Sequence, residues 1–381
     1  MRIVLDLQGA QSASRYRGIG RYSLALAQAI ARRRGEHELY ILLNGLLSDS
    51  VVELRRAFAD LLPAEHIIVF AAPAPVCAQD ADNAGRRAVA ELLREACIAR
   101  LRPDVVHISS LFEGYLDDAV SSVGRLAQHA LVSVSLYDLI PWLNQEHYLT
   151  PRPAYAAHYR EKMAHLQRAD LLLAISEASC QEARTHLPGQ QRIVNIAAAA
   201  DACFTPGSAS AARTRLRPYL ASTRPFVLYT GGADERKNLP RLLAAFDQLP
   251  ATLRDSHQLV LAGRLSTGEV DLLREQAQSL GWSDEQWCLT GYVDDATLVD
   301  LYRACTLFVF PSWHEGFGLP ALEAMSCGAA VLAAHTSSLP EVIGRQDALF
   351  DPFSVVSIAA KIEQALVDTD WRQELKCRSP M

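Results

Sequence analysis

Lysine is nearly missing from this chain: four residues stand against thirty-three arginines in a length of 381. Long apolar runs are absent, and none approaches the ~20 residues that a membrane-spanning helix needs. The eight cysteines (77, 97, 180, 203, 288, 305, 327 and 377) form no C-x-x-C and no paired spacing. That argues against a zinc site or a disulfide frame and for small buried residues of a reduced compartment. Excess positive charge is also lacking. The formal net charge is −6, with 21 basic and 22 acidic residues up to Pro206 and 16 against 21 beyond it. Neither half is basic enough to bind nucleic acid. The opening Met1-Arg-Ile-Val-Leu-Asp6 breaks its apolar run at Asp6, so it reads as a first strand, not a signal peptide. A cytoplasmic protein is expected.

What is present is alternation. Apolar runs at 3–7, 39–43, 67–71, 105–108, 131–136 and 171–175 alternate with helical patterns such as 22–31, 51–61, 86–99 and 155–167. A shift to small residues, Pro and Gly at 201–210 marks a boundary, after which strands are expected near 226–229, 258–262, 287–290, 307–310 and 330–333. Continuous Val/Ile/Leu runs between amphipathic helices imply parallel sheets covered on both faces. The fold class is therefore α/β, with two doubly wound Rossmann-like domains over 1–205 and 206–381.

Ligands of such folds bind beyond the carboxyl ends of the strands. The densest loop there follows the strand at 307–310: it holds Pro311, Glu315, Gly316 and Gly318, and a helix opened by Pro320 carries Glu323. Free backbone N–H groups at such a junction attract anions, whereas a carboxylate repels them. Both glutamates therefore suit hydroxyl groups beside an anion. After the first strand of the second half comes Gly231-Gly232-Ala-Asp-Glu-Arg236-Lys237-Asn238. The glycines admit a ligand to the backbone, and a lysine kept among so many arginines suits a phosphate oxygen. Cations at a helix start oppose its dipole unless an anion compensates, which points to bound phosphate.

In the first half, Gly18 and Gly20 fail as a dinucleotide fingerprint because Ser23 replaces the third glycine. They mark a close approach by a bound molecule or a plain tight turn. Asp138, where the strand at 131–136 ends, suits proton transfer or a hydroxyl, with a turn cap as the alternative. Trp142, His147 and Tyr148 suit sugar stacking or core packing, and Ser176 reads as an N-cap. Asp80 and Asp82 form a D-x-D with no strand ahead of it, so a solvated loop and no metal are expected. His158 and His165 share a helical face with no carboxylate at ligand spacing, and are expected partly buried or at the surface. Arg32-Arg33-Arg34 complements a helix dipole; attraction to an anionic membrane surface is its other reading.

These landmarks together resemble the retaining glycosyltransferases of family four, whose GT-B fold sets two Rossmann-like domains across a cleft. The likeness runs from Met1 to about Leu375. Its most specific parts are Glu315-Gly-Phe-Gly-Leu-Pro-Ala-Leu-Glu323-Ala-Met-Ser-Cys-Gly328 and Gly231-Gly232 with Arg236-Lys237-Asn238. The opening, Asp6-Leu-Gln-Gly with Arg17-Gly-Ile-Gly-Arg-Tyr-Ser, is similar to bacterial mannosyl- and rhamnosyltransferases of O-antigen and exopolysaccharide assembly.

The resemblance implies a metal-independent hexosyltransferase moving mannose from GDP-mannose, a substrate and not a cofactor, to a surface polysaccharide or lipid-linked glycan. Glu315 would hold hydroxyls of the donor sugar, with Gly316 and the N–H groups of Phe317, Gly318 and Leu319 near the sugar and phosphate. Glu323 would take the ribose, Arg236 and Lys237 the diphosphate beside Gly231 and Gly232, and Val293 the base. Gly18, Gly20 and Tyr137 would line the cleft from the acceptor domain, and Asp138 would approach the reacting sugar. Asp138, Arg236, Lys237 and Glu315 thus make the implied catalytic set, in a cytoplasmic protein, with peripheral association at the inner membrane as the other reading. Two departures stand out. Tyr137-Asp138 replaces the His-Asp of many relatives, so no catalytic histidine is carried over. The chain ends at Cys377-Arg-Ser-Pro-Met381, short of the aromatic-bearing segment and crossing helix that the family usually adds, as a truncated chain or a separated module of a larger enzyme would. A GT-B nucleotide-sugar epimerase and a non-catalytic two-domain sugar-binding protein are the alternatives.

Overall fold

The computed structural model describes residues 1–376 apart from 17, 125, 128, 188, 190, 191 and 284. Arg17 of the opening motif and the terminal segment with Cys377 lie outside the described residues. The chain divides into two compact units, Met1–Ala198 and Ala199–Met381. The expected boundary was 205/206; Phe204 packs into the core of the second unit, which draws the division earlier.

In the first unit the strands are β1 (Arg2–Asp6), β2 (Glu38–Asn44), β3 (Ile67–Phe70), β4 (Val105–Ile108), β5 (Leu131–Leu136), β6 (Leu171–Ala174) and β7 (Arg192–Asn195). They form one parallel sheet in the order β3-β2-β1-β4-β5-β6-β7. Side chains alternate between its faces. Leu5, Ile41 and Leu43 pack with Phe58 on one face, and Val4, Leu42 and Val106 pack with Met163 and Leu166 on the other. Both faces are covered, which is why these strands read as unbroken apolar runs.

The second unit repeats the plan with β8 (Phe226–Thr230), β9 (Gln258–Ala262), β10 (Trp287–Gly291), β11 (Leu307–Phe310), β12 (Val331–Ala334) and β13 (Leu349–Phe350). The order is β10-β9-β8-β11-β12-β13, again all parallel. Every residue of β8, β11 and β12 is buried. In each sheet the winding reverses once, between β1 and β4 and between β8 and β11, and the crevice at such a reversal is where doubly wound sheets bind ligands.

The structure departs from expectation in a few places. Strands β7 and β13 were not foreseen: β7 is a half-exposed edge strand, and β13 has two residues. The helix expected from 22 begins at Gly18 and runs to Arg32. Ser176 does cap Glu177–His186, accepting the N–H of Ser179 at 2.9 Å. The histidine reading needs correction, because both His158 and His165 are buried. Glu161 lies four residues before His165 on the same helix, 3.9 Å from its Nε2, and Glu91 approaches from another helix. The i,i+4 carboxylate was legible and was overlooked. The seven cysteines among the described residues are free thiols. No helix among the described residues is long and apolar enough to cross a membrane.

Candidate nucleotide-sugar site

The strongest cluster stands at the reversal between β8 and β11. Beyond β8 the chain passes Gly231, at φ +143°, whose N–H joins the Ala262 carbonyl at 2.9 Å. Asp234 caps a short 3-10 turn, Glu235–Lys237, that presents Arg236 and Lys237. Asn238 ends this turn in the left-handed region at φ +62°, which asparagine tolerates better than most residues. Its buried amide donates to the Pro311 carbonyl at 3.1 Å and to that of Pro352 at 2.7 Å. The turn is thereby fixed against the loop after β11, and the Trp313 N–H adds a bond to the Arg236 carbonyl at 2.9 Å.

Both cations converge on Glu315. Lys237 Nζ lies 2.5 Å from Oε1, and Arg236 Nη1 lies 3.0 Å from Oε2 while also donating to the His314 carbonyl at 2.9 Å. One nitrogen thus meets each carboxylate oxygen. Burial alone would push the Glu315 carboxyl up, but Lys237 and Arg236 outweigh it and hold the group down at about 2. Burial pulls the Lys237 ammonium below its usual range, against the attraction of Glu315. Phosphate is the counter-anion expected at this turn; in the structure the Glu315 carboxylate meets both cations.

The loop carrying Glu315 is clamped from β12. Ser337 Oγ accepts the Glu315 N–H at 3.0 Å, and the buried Ser338 hydroxyl shares its proton between the carbonyls of Glu315 (3.0 Å) and Phe317 (2.8 Å). Gly318, at φ +104°, then starts the helix Leu319–Ser326, with Pro320 in its first two positions. Among the described residues no partner takes up the N–H groups of Phe317, Gly318 or Leu319. A Cβ on Gly318 would lie 2.6 Å from Leu339 Cδ2, so glycine is required twice over, by conformation and by space. Gly318→Ala should destabilise the protein by about 2 kcal/mol. Urea unfolding checks this, and an unchanged midpoint would mean that the loop adopts another path.

Residues 213–379 match the model of the family described as glycosyl transferases group 1. The chain carries a group 1 glycosyltransferase domain. It is 38% identical over 382 residues to the serotype-specific mannosyltransferase WbdA of Escherichia coli, covering all of this chain and 45% of that protein. The O-antigen chain mannosyltransferase B of Escherichia coli is 37% identical over 226 residues, 58% of each chain. The chain therefore spans less than two thirds of the length of these relatives. Sucrose-phosphate synthase from Thermosynechococcus elongatus superposes with a TM-score of 0.74 at 19% identity, covering 99% of this chain and 92% of that one. The two units have the GT-B fold.

Within the group 1 domain, Glu323 is the fifth residue of its helix, half-buried, and Oε2 accepts the Tyr302 hydroxyl at 3.1 Å. Tyr302 also bonds Thr230, the last residue of β8, at 2.8 Å, so Glu323 is held from the strand end. Three glycines form a ledge free of side chains across neighbouring strand ends. Gly263, at φ +154°, donates to the Gly291 carbonyl at 3.0 Å, and a Cβ there would lie 1.9 Å from the Gly231 carbonyl oxygen. Gly232 has open space around its would-be Cβ. Val293 lies two residues past β10, and exposed Tyr292 carries the Arg264 guanidinium 5.5 Å from its ring centre. Tyr302, Ser337, Ser338, Gly263 and Arg264 were missed from sequence. Gly263, Arg264, Ser337 and Ser338 were legible only as residues at or near a strand end, and Tyr302 only as a residue of the helix Asp295–Ala304.

The first unit gathers its own residues beyond β1, β4 and β5. Tyr137 donates its hydroxyl to the Ser109 carbonyl at 3.0 Å and shares a hydrogen bond with the Ser23 hydroxyl at 2.8 Å, and burial raises its ionisation well above the usual range. Gly20 is buried, and a Cβ on it would lie 2.3 Å from Arg15 Cα, so this glycine serves the chain's own packing. Gly18 is exposed at the helix start. Asp138 is half-buried two residues past β5 and accepts the Ile140 N–H at 3.0 Å, the geometry of a turn cap. Glu113, unforeseen, takes hydroxyls from Ser110 at 2.9 Å and Ser14 at 3.2 Å, while burial lifts its carboxyl above the usual range. Asp80 caps the short turn Ala81–Asn83 on the surface. Trp142 is half-buried, as is His147, which edges onto buried Tyr148.

Proposed function

We propose that this chain is a retaining, metal-independent mannosyltransferase. It moves mannose from GDP-mannose to a surface polysaccharide or lipid-linked glycan at the cytoplasmic face of the inner membrane. One observation carries the reading: Arg236 and Lys237 are fixed at the reversal of the second sheet, on the carboxylate of Glu315. Breaking a glycosyl–phosphate bond puts negative charge on the departing diphosphate and positive charge on the anomeric carbon. Two fixed cations and the N–H groups of Phe317, Gly318 and Leu319 stabilise the first, with no reorganisation at the moment of reaction. Glu315, ionised at any physiological pH, accepts hydrogen bonds from sugar hydroxyls as the cations turn to phosphate. Glu323 takes the ribose and Val293 lies by the base. Asp138 and Tyr137 of the first unit belong to the acceptor side. Retention follows from attack on the face that the phosphate leaves, with a phosphate oxygen receiving the acceptor's proton. The names of the two Escherichia coli relatives support mannose as the sugar.

A panel of nucleotide sugars, followed by release of free nucleoside diphosphate, tests this. GDP-mannose should turn over, and should do so undiminished in excess chelator. No turnover of any donor would sink the enzymatic reading, and loss of turnover with chelator would sink metal independence.

A further inference from the structure

The helix Ala84–Leu101 buries its charges and exposes its hydrophobics. Glu91, Arg94 and Glu95 are buried, whereas Val89, Leu92 and Leu93 are 48%, 47% and 43% exposed. The inward face explains the inversion. Arg94 pairs with Asp6 at the end of β1, 2.6 Å away, and with Glu95 at 3.3 Å, and Ser122 donates to Glu95 at 2.7 Å. Lys162, also buried, lies 3.9 Å from Glu91 and donates to the Ser121 carbonyl at 2.6 Å. A buried charge network of this kind is strongly destabilised by losing one partner. It therefore fixes the helix's rotation and leaves the apolar side outward.

That side has a definite pattern. Arg86, Val89, Leu93 and Arg100 follow one another at steps of three, four and seven, which places them along one line of the helix. Leu92 flanks the line. Every exposed residue on this helix is small, apolar or arginine, because both glutamates point inward. Arg102, just past the end, is exposed as well; the exposed acids Asp80 and Asp82 precede the helix. Three apolar side chains are few for a standard protein interface of about 800 Å² per partner. Insertion at a bilayer surface needs only such a stripe, rimmed by cations that meet anionic headgroups.

We propose that the outward face of Ala84–Leu101 docks on an anionic lipid bilayer. Val89, Leu92 and Leu93 enter the headgroup boundary, and Arg100 and Arg102 meet lipid phosphates. The basic run at Arg32–Arg34 is a poorer anchor, since the helix that it ends, Gly18–Arg32, exposes no large apolar side chain among the described residues. The inference extends the reading of a membrane-side acceptor. Its test uses no donor, so the failure of one is distinguishable from the failure of the other.

Co-sedimentation with vesicles of phosphatidylcholine, with and without phosphatidylglycerol, decides it. The full chain should bind the anionic vesicles and be released by salt. Val89→Ser/Leu92→Ser/Leu93→Ser should weaken binding about a hundredfold. Arg100→Glu/Arg102→Glu should weaken it about tenfold or more. Both variants should keep the wild-type circular dichroism and thermal midpoint, because the changed residues are exposed. Wild type that stays in the supernatant, binds neutral vesicles equally well, or binds unchanged in both variants would overturn the proposal. So would a concentration-dependent dimer abolished by the triple variant in the absence of lipid binding, which would assign the face to a second copy.

Discussion

Lys237→Ala should lower kcat/KM for donor turnover by about a hundred- to a thousandfold while leaving the protein folded. The leaving diphosphate gains charge in the transition state, and a fixed cation in a water-poor site is worth far more there than in solution. Lys237 is held where such a group is needed, at the head of a turn locked by Asn238 and above the ring of Phe310, 5.4 Å from its centre. Arg236 stays on Glu315 in the variant, so the carboxylate is not left unpaired and the fold should persist. Lys237→Arg keeps the charge but spreads it over a plane that cannot occupy the same point, so partial activity is expected. Donor-saturation kinetics with circular dichroism as a control check this. Wild-type kinetics in Lys237→Ala would mean that the cation is only a partner for Glu315.

Glu315→Gln should have the second large effect, on both activity and stability. Removing the anion leaves Lys237 and Arg236 facing each other with only Asp234, 3.4 Å from Arg236 Nε, as counter-charge, a loss that costs about 3 kcal/mol when a largely buried pair is broken. The sign with pH follows from the depressed carboxyl. Because Glu315 titrates at about 2 in the folded protein, its stabilisation is complete above the ordinary carboxylate range and is lost as pH falls toward that value. Urea unfolding of wild type and variant should therefore differ most near neutral pH and converge under acid. A difference that grows on acidification would contradict the ion-pair geometry. Transfer should fall about a hundredfold, because the sugar loses a charged acceptor.

Much of this was legible in the chain. Unbroken apolar runs such as Leu307–Phe310 announce a strand covered on both faces, and Pro311, Gly316, Gly318 and Pro320 mark the loop and helix start that follow. The proximity of Arg236-Lys237 to Glu315 was not readable from spacing, since 78 residues separate Lys237 from Glu315. It depends on β8 and β11 being neighbours, which only the winding order supplies. Ser338 and Tyr302 were invisible for the same reason: each is an ordinary residue until the sheet places it against a glutamate. Gly20 is a different case. A glycine at a helix start suggested a ligand or a tight turn, and the backbone of Arg15 beside its would-be Cβ favours the second. The inverted helix could have been suspected, because Glu91, Arg94 and Glu95 interrupt the face that Ala90 and Ile98 bury.

The central claim is that the Arg236–Lys237–Glu315 cluster receives a diphosphate, and calorimetric titration with GDP and with guanosine tests it most directly. Wild type should bind GDP at least about a hundredfold more tightly than guanosine, the order of difference that two well-placed cations supply, and Lys237→Ala should erase most of that gap. Equal affinities for GDP and guanosine, or a gap that survives in Lys237→Ala, would contradict it.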